Sequence, residues 1–313
     1  MSVSLRRTDE QRMLAESVRD YCAAHCAEQV RAAEGFPWPF WHGLAELGLL
    51  SLAVPGEGAG AGEIVTACAE LGRAAAPGPI AATVFATHAL PERQAVLLSQ
   101  GKALVSLGKR PLLPWAPLAG VFIETDGDGA WLADPVGEVE PVEMLGGEPW
   151  GRVGLRLAQA LDRVPTARAL SDLALAAYLW GAGRRLLDGV AEHARTRIQF
   201  GKAIGSFQAV AHPIVTAGLA LTSAEKLTMM AALAMDEGHE DGEVLAVSAR
   251  LSASRAAVGA ALTAHQGFGA IGYSVEGPIG RVAQRIRALA TPPGYADGSG
   301  EQVLAGYFQK GRP

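Results

Sequence analysis

Two blocks of helical patterning, 1–102 and 166–313, enclose a shorter block, 103–165, that reads as β-strands. That order implies a mainly α-helical protein with a small β-domain: an N-terminal helical domain, a shortened middle β-domain and a C-terminal four-helix bundle. In the first block Met13, Leu14, Val18, Tyr21 and Cys22 recur at helical spacing. The segment Phe36-Pro37-Trp38-Pro39-Phe40-Trp41 breaks the pattern, and helices are expected over 41–49, 63–75 and 91–100. Val54-Pro55-Gly56 ends the first of these and Ala76-Pro77-Gly78-Pro79 the second. In the middle block, short strands are expected at Leu104 to Leu107, Val121 to Ile123, Ala130 to Leu132 and Gly151 to Leu155. Asp126-Gly127-Asp128-Gly129 joins two of them as a hairpin, and Pro111-Leu112-Leu113-Pro114 marks a loop or an edge. The last block carries long helical patterns over 167–195, 207–235 and 243–266, and a shorter one after Pro278.

Composition agrees with helix. Alanine and leucine dominate, and β-branched residues are sparse outside the middle block. With 313 residues and 49% hydrophobic side chains the chain can bury a large core. The net charge of −5, with lysines and arginines scattered, leaves no nucleic-acid footprint. No apolar run reaches the length of a membrane span. The polar stretch Met1 to Thr8 leads into Asp9-Glu10-Gln11-Arg12, which reads as a helix start and not as a signal peptide, so a soluble cytoplasmic protein is expected. Three cysteines argue against a disulfide framework. Cys22 and Cys26, four apart around His25, read as small apolar residues on one helix face, because no second ligand pair lies nearby to complete a metal site.

The chemistry concentrates between the first two long helical patterns, in Arg197, Gln199, Phe200, Gly201, Ile204, Phe207 and Gln208. A cationic fork, side-chain amides and aromatics stand at fixed offsets on a turn. Arginine supplies paired donors to phosphate oxygens, and the next helix adds backbone N–H groups from its N-terminus. Downstream lie Gln266-Gly267-Phe268-Gly269-Ala270-Ile271-Gly272-Tyr273 and then Glu276-Gly277-Pro278-Ile279-Gly280-Arg281.

These three segments resemble, in order, the R-x-Q-F-G-x-x-I-x-x-F-Q, Q-x-x-G-G-x-G-Y and E-x-P-x-x-R motifs of the acyl-CoA dehydrogenase flavoproteins. Ala270 stands where the second motif has its second glycine. Thr8 to Leu14, Trp41 to Leu52, Ala53-Val54-Pro55 and Glu70 to Ala74 also have counterparts there, so the resemblance covers nearly the whole chain. It implies FAD as cofactor and α,β-dehydrogenation of an acyl-CoA thioester, with the hydride passing to flavin and then to an electron-transfer partner. It implies that Arg197 binds the pyrophosphate with Gln199 beside it. Phe200, Ile204 and Phe207 would pack near the adenine end, and Gln208 and Gln266 would hydrogen-bond the adenosine side. Gly267 and Gly269 would let backbone approach the cofactor. For Phe200 and Phe207 the competing reading is ordinary core packing. In the family the arginine segment commonly reaches across a dimer interface to a neighbour's FAD.

The chain also departs from the family. The middle block is short, and nothing between Ala103 and Asp162 matches the T-E-P-x-x-G-S-D stretch. Gly56 to Gly62 is glycine-rich but follows a helix, and is expected to be a flexible connection near the acyl cleft. The family's catalytic glutamate falls on Pro293 in an ungapped alignment, and a gap offers Asp297 instead. Some members carry the base on the first helix of the third block. Here Ser171 and Asp172 stand there, and Asp172 reads as an N-terminal helix carboxylate favoured by the dipole. His212 and His265 read as satisfied structural histidines. Three readings follow. One is a subunit that shares its FAD with a related partner subunit, as in members acting on bulky steroid side-chain thioesters. The others are a homomeric dehydrogenase with Asp297 as base, and a scaffold or acyl-binding protein that has lost FAD.

Overall fold

Thr8 starts the first helix through a capping box, its Oγ1 accepting from Gln11 N–H at 3.1 Å while Gln11 Oε1 accepts from Thr8 N–H at 3.2 Å. The computed structural model describes residues 5–26, 35–56, 59–144, 146–274, 277–290 and Ala305. Helix α1 (Asp9–His25) buries Ala15, Val18 and Cys22. Met13, expected on that face, is 67% exposed. Helix α2 (Trp38–Glu46) begins earlier than its two prolines suggest, because Pro39 lies in the first turn, where its missing N–H costs nothing. Helices α3 (Ala61–Ala74) and α5 (Glu92–Ser99) fall where expected. Between them lies a helix the pattern did not announce, α4 (Ile80–Ala89). It packs against α5, the first strand and the first bundle helix, and most of its residues are buried, so it shows no polar face.

The middle block forms five strands: β1 (Leu104–Gly108), β2 (Leu112–Pro114), β3 (Ala119–Asp126), β4 (Gly129–Val142) and β5 (Trp150–Ala160). Their order is β1-β3-β4-β5-β2, with β1 parallel to β3 and the other pairs antiparallel. Asp126 pairs with Gly129 across the expected two-residue turn, and β2 is an edge strand. The sheet curls until its edges meet, Ser106 Oγ donating to Pro114 O at 2.7 Å. Leu113, Phe122, Val153 and Leu155 fill its interior.

The last block gives α6 (Val164–Thr196), α7 (Gln208–Asp236), α8 (Gly242–Phe268) and α9 (Gly280–Ala290). Every residue of α6 from 169 to 183 is buried, the signature of a helix surrounded by protein. It lies against α3 so closely that a Cβ at Gly72 would strike Tyr178 O and one at Gly181 would strike Ala69 O. One hydrophobic cluster therefore runs from α1 through α3 and α6 into α8 and α9. The segment before α3 is anchored at its described end. Ala61 N–H and Gly62 N–H donate to the two carboxylate oxygens of Asp236, at 2.6 and 3.0 Å. The expected flexible connection is corrected there: a carboxylate caps the helix N-terminus. Among the described residues no helix is long and apolar enough to cross a membrane.

Candidate functional site

The motif after α6 folds into a small hairpin, β6 (Ile198–Gln199) and β7 (Lys202–Ala203), with Phe200 and Gly201 at its tip. Arg197 ends α6 as its C-cap, its N–H donating to His193 O, and its carbonyl accepts from Ile204 N–H at 2.9 Å. The hairpin tip has φ of 53° at Phe200 and 79° at Gly201. Positive φ at both central residues is the type I′ arrangement, natural for glycine and costing an L-residue about 1–2 kcal/mol. Phe200 holds that conformation while 91% exposed, which overturns core packing as its role. Its ring meets Phe207 edge-on at 6.1 Å, and Lys202 Nζ stands 4.3 Å from the Phe207 centroid. Phe207 is half-buried and N-caps α7, so Gln208 occupies the first helical position.

The side chains of Arg197, Gln199 and Gln208 are exposed and have no hydrogen-bond or ion-pair partner among the described residues. The first amides of α7 stand beside them without intrahelical acceptors. A guanidinium, two amides and a helix N-terminus form a donor set suited to a pyrophosphate, and the Phe200–Phe207 pair suits a flat ring. The residues therefore fit a dinucleotide such as FAD.

The second motif lies at the same end of the bundle, where the Phe268 ring meets His193 at 4.8 Å. Gln266 is exposed in the last turn of α8. A Cβ at Gly267 would strike Val190 Cγ2, so this glycine has a packing reason, the seating of α8 on α6. Gly269 ends α8 with φ of 63°, and a Cβ there would meet open space. His265 is structural, as expected: its Nδ1 lies 2.9 Å from Gly272 O and its ring stacks on Tyr273. His212 is not: it is exposed and lines a groove between α7 and α8.

A second polar cluster lies where the helical blocks meet the sheet, and the sequence did not reveal it. Trp115 N–H donates to Pro149 O at 2.6 Å, tying the β4–β5 loop to the end of β2 and turning Glu148 inward. Glu148 Oε1 lies 3.2 Å from Arg285 Nη1 on α9. Arg285 Nε donates to Tyr178 Oη at 2.6 Å and its Nη2 to Gly78 O at 3.1 Å. Tyr178 Oη donates to Ala76 O at 2.8 Å. Burial raises the Glu148 carboxyl above its ordinary value and pushes the Tyr178 hydroxyl up to about 12. Only long-range contacts assemble this cluster, so no local spacing could have announced it.

The candidate bases resolve differently. Asp297 lies outside the described residues. Asp172 is corrected: it stands in the third turn of α6, beyond reach of a dipole argument, and is buried with its Oδ1 2.8 Å from Arg250 Nε on α8. Burial pushes its carboxyl up to about 6, against the pull of Arg250 and Arg168. Ser171, one residue back, faces α4 and donates to Ala81 O at 2.8 Å. Cys22 and Cys26 are buried, and burial pushes the Cys22 thiol up to about 12. Among the described residues no cluster of three or more metal-ligating side chains occurs.

Comparison with known proteins gives the same picture. Residues 8–94 match the acyl-CoA dehydrogenase N-terminal domain and 167–304 the acyl-CoA dehydrogenase C-terminal domain. The chain is 32% identical over 290 residues to the acyl-CoA dehydrogenase IpdE2 of Mycobacterium tuberculosis, covering 86% of this chain and 88% of that protein. Its fold matches a chain of the ChsE4–ChsE5 complex from Mycobacterium tuberculosis, with a TM-score of 0.84 and 23% identity over 99% of this chain and 100% of that one. It also matches a chain of the Tcur3481–Tcur3483 steroid ACAD, with a TM-score of 0.82 and 23% identity over 97% and 98%. On the two domain matches and the near full-length similarity to IpdE2, the chain belongs to the acyl-CoA dehydrogenase family.

Proposed function

We propose that this chain is a subunit of a cytoplasmic acyl-CoA dehydrogenase that shares an FAD site with a second, related subunit. FAD is the family's cofactor. When bound, it accepts the hydride that leaves the β-carbon of the acyl thioester. The single observation that carries the shared site is the exposure of the donor set. Arg197, Gln199, Phe200 and Gln208 are exposed, and none lines the chain's interdomain cleft or the small chamber beside it. A ligand held there needs a second surface to enclose it.

In this reading Arg197 holds the pyrophosphate, with Gln199 beside it and the N-terminus of α7 behind. Phe200, Ile204 and Phe207 flank the adenine end, and Gln208 and Gln266 serve the adenosine. In this reading the carboxylate that removes the α-proton is the partner subunit's, and Asp172 stays committed to Arg250. The likeness to the ChsE4–ChsE5 complex and to the Tcur3481–Tcur3483 steroid ACAD supports a two-subunit assembly and, from the second, a steroid substrate class. An electron-transfer partner would serve as the assembly's acceptor.

Loss of the Arg197 guanidinium tests the assignment. Arg197→Ala should weaken FAD binding by about 1.5–3 kcal/mol, the worth of a hydrogen bond to a charged group, in a fluorescence titration of the apo-complex. Equal affinity in variant and parent would remove Arg197 from the site.

A further inference from the structure

The hairpin after α6 brings a second cation, Lys202, onto the face that carries Arg197. Arg197 leaves α6 extended, with φ of −75° and ψ of 120°, so its side chain and that of Gln199 lie on one face of β6. Gln199 pairs directly with Lys202 across the hairpin, and the side chains of paired residues point to the same side. Lys202 is exposed, and no carboxylate pairs with it among the described residues. Glu192, the nearest acidic residue in sequence, is taken by Arg195 at 2.7 Å.

The ammonium stands instead over the ring of Phe207, 4.3 Å from its centroid. Phe207 is half-buried, and Phe200 meets it edge-on. Lys202 therefore covers a face of the ring on which a flat base would stack, and a ring face holds one partner at contact distance. An exposed cation–π contact is weak, worth roughly two- to fivefold in a binding constant, so a base can displace it. The displaced ammonium then needs an acceptor. Its flexible stem carries it in front of Gln199 and Arg197, where a phosphate supplies one.

We propose that Lys202 is an exchange latch: it covers Phe207 until an adenine nucleotide arrives, then yields the ring to the base and takes a phosphate oxygen. The site thereby selects phosphorylated adenylates against bare adenosine. Adenosine must return the ammonium to water, whereas a nucleotide gives it a new partner. The proposal rests on the shared-site reading for the placement of the adenine end, and adds the means by which that end discriminates.

The test is a calorimetric titration of the apo-complex with ADP and, separately, with adenosine, for the parent and for Lys202→Ala. Lys202→Ala should bind ADP about tenfold more weakly, through loss of a charge-assisted contact, and adenosine about two- to fivefold more tightly, because the ring is uncovered. Opposite shifts for the two ligands cannot come from a damaged fold, which would weaken both. A variant that weakens ADP and leaves adenosine unchanged or weaker would overturn the latch and leave the shared site standing. So would a variant with parental affinity for both. A parent complex that binds neither probe would overturn the shared-site reading and the latch with it.

Discussion

The two ends of α6 treat polar groups in opposite ways. Near its start Ser171, Asp172 and Tyr178 are buried, and each is met by protein: Ala81 O, Arg250, and Ala76 O with Arg285. At its far end Arg197, Gln199 and Phe200 stand in solvent with no side-chain hydrogen-bond or ion-pair partner among the described residues. The first end uses these polar groups to hold the fold together. The second spends backbone strain to present donors and an aromatic outward. A folded protein gains nothing from such an arrangement by itself, which is why the proposal gives the exposed end to a ligand and a second surface.

Substitutions at the buried end should be severe and structural. Removing one member of a buried pair, as in Glu148→Ala or Arg250→Ala, should cost about 3–5 kcal/mol in urea denaturation, because the other charge is left unpaired. A loss below about 1 kcal/mol would mean that the cluster is solvated and the contrast with the far end false. Arg197→Ala, by comparison, should leave stability within about 0.5 kcal/mol of the parent while it weakens FAD binding.

Asp172 sharpens the comparison through pH. Its carboxyl sits higher in the native state, at about 6, than its ordinary value of 3.8. The native protein therefore takes up a proton that the unfolded chain lacks between those values. This contribution to stability is fully present below the unfolded value and is lost as pH rises through about 6. Stability in that window should carry a downward slope of up to about 1.4 kcal/mol per pH unit from this group. Asp172→Asn should remove that component when melting is followed across pH 4 to 6, roughly the window set by these two values. An unchanged slope in the variant would show that Asp172 is ionised throughout and that Arg250 outweighs burial.

The smallest effects separate strain from packing. Phe200→Gly should relieve the positive φ and raise stability by about 1 kcal/mol while it weakens cofactor binding. Gly267→Ala should cost about 1–3 kcal/mol through the clash with Val190. If Gly267→Ala kept full stability and lost only FAD, the glycine would belong to the ligand and not to helix packing.

What was legible in the sequence divides along the same line. The exposed hairpin was legible because its donors lie within twelve residues, Arg197 to Gln208, and their spacing is local. The strands, the hairpin turn and the three long helices announced themselves by period and by turn residues. Helix α4 did not, because a short helix buried on most sides carries no polar stripe to set its phase. The Glu148–Arg285–Tyr178 cluster did not, because its members are up to 137 positions apart in sequence and only the tertiary fold joins them. Asp172 was misread for the same reason: its partner lies on another helix, and α6 begins eight residues earlier, at Val164.

The shared-site account is tested most directly by colour. The purified chain alone, and the chain co-expressed with a full-length acyl-CoA dehydrogenase-type subunit, should be compared in visible absorbance over roughly 300–550 nm, where bound flavin absorbs. The account predicts a colourless chain that becomes part of a yellow complex, with the colour lost in Arg197→Ala. A chain that purifies yellow by itself with stoichiometric flavin would contradict it, and so would one that stays colourless with every such partner.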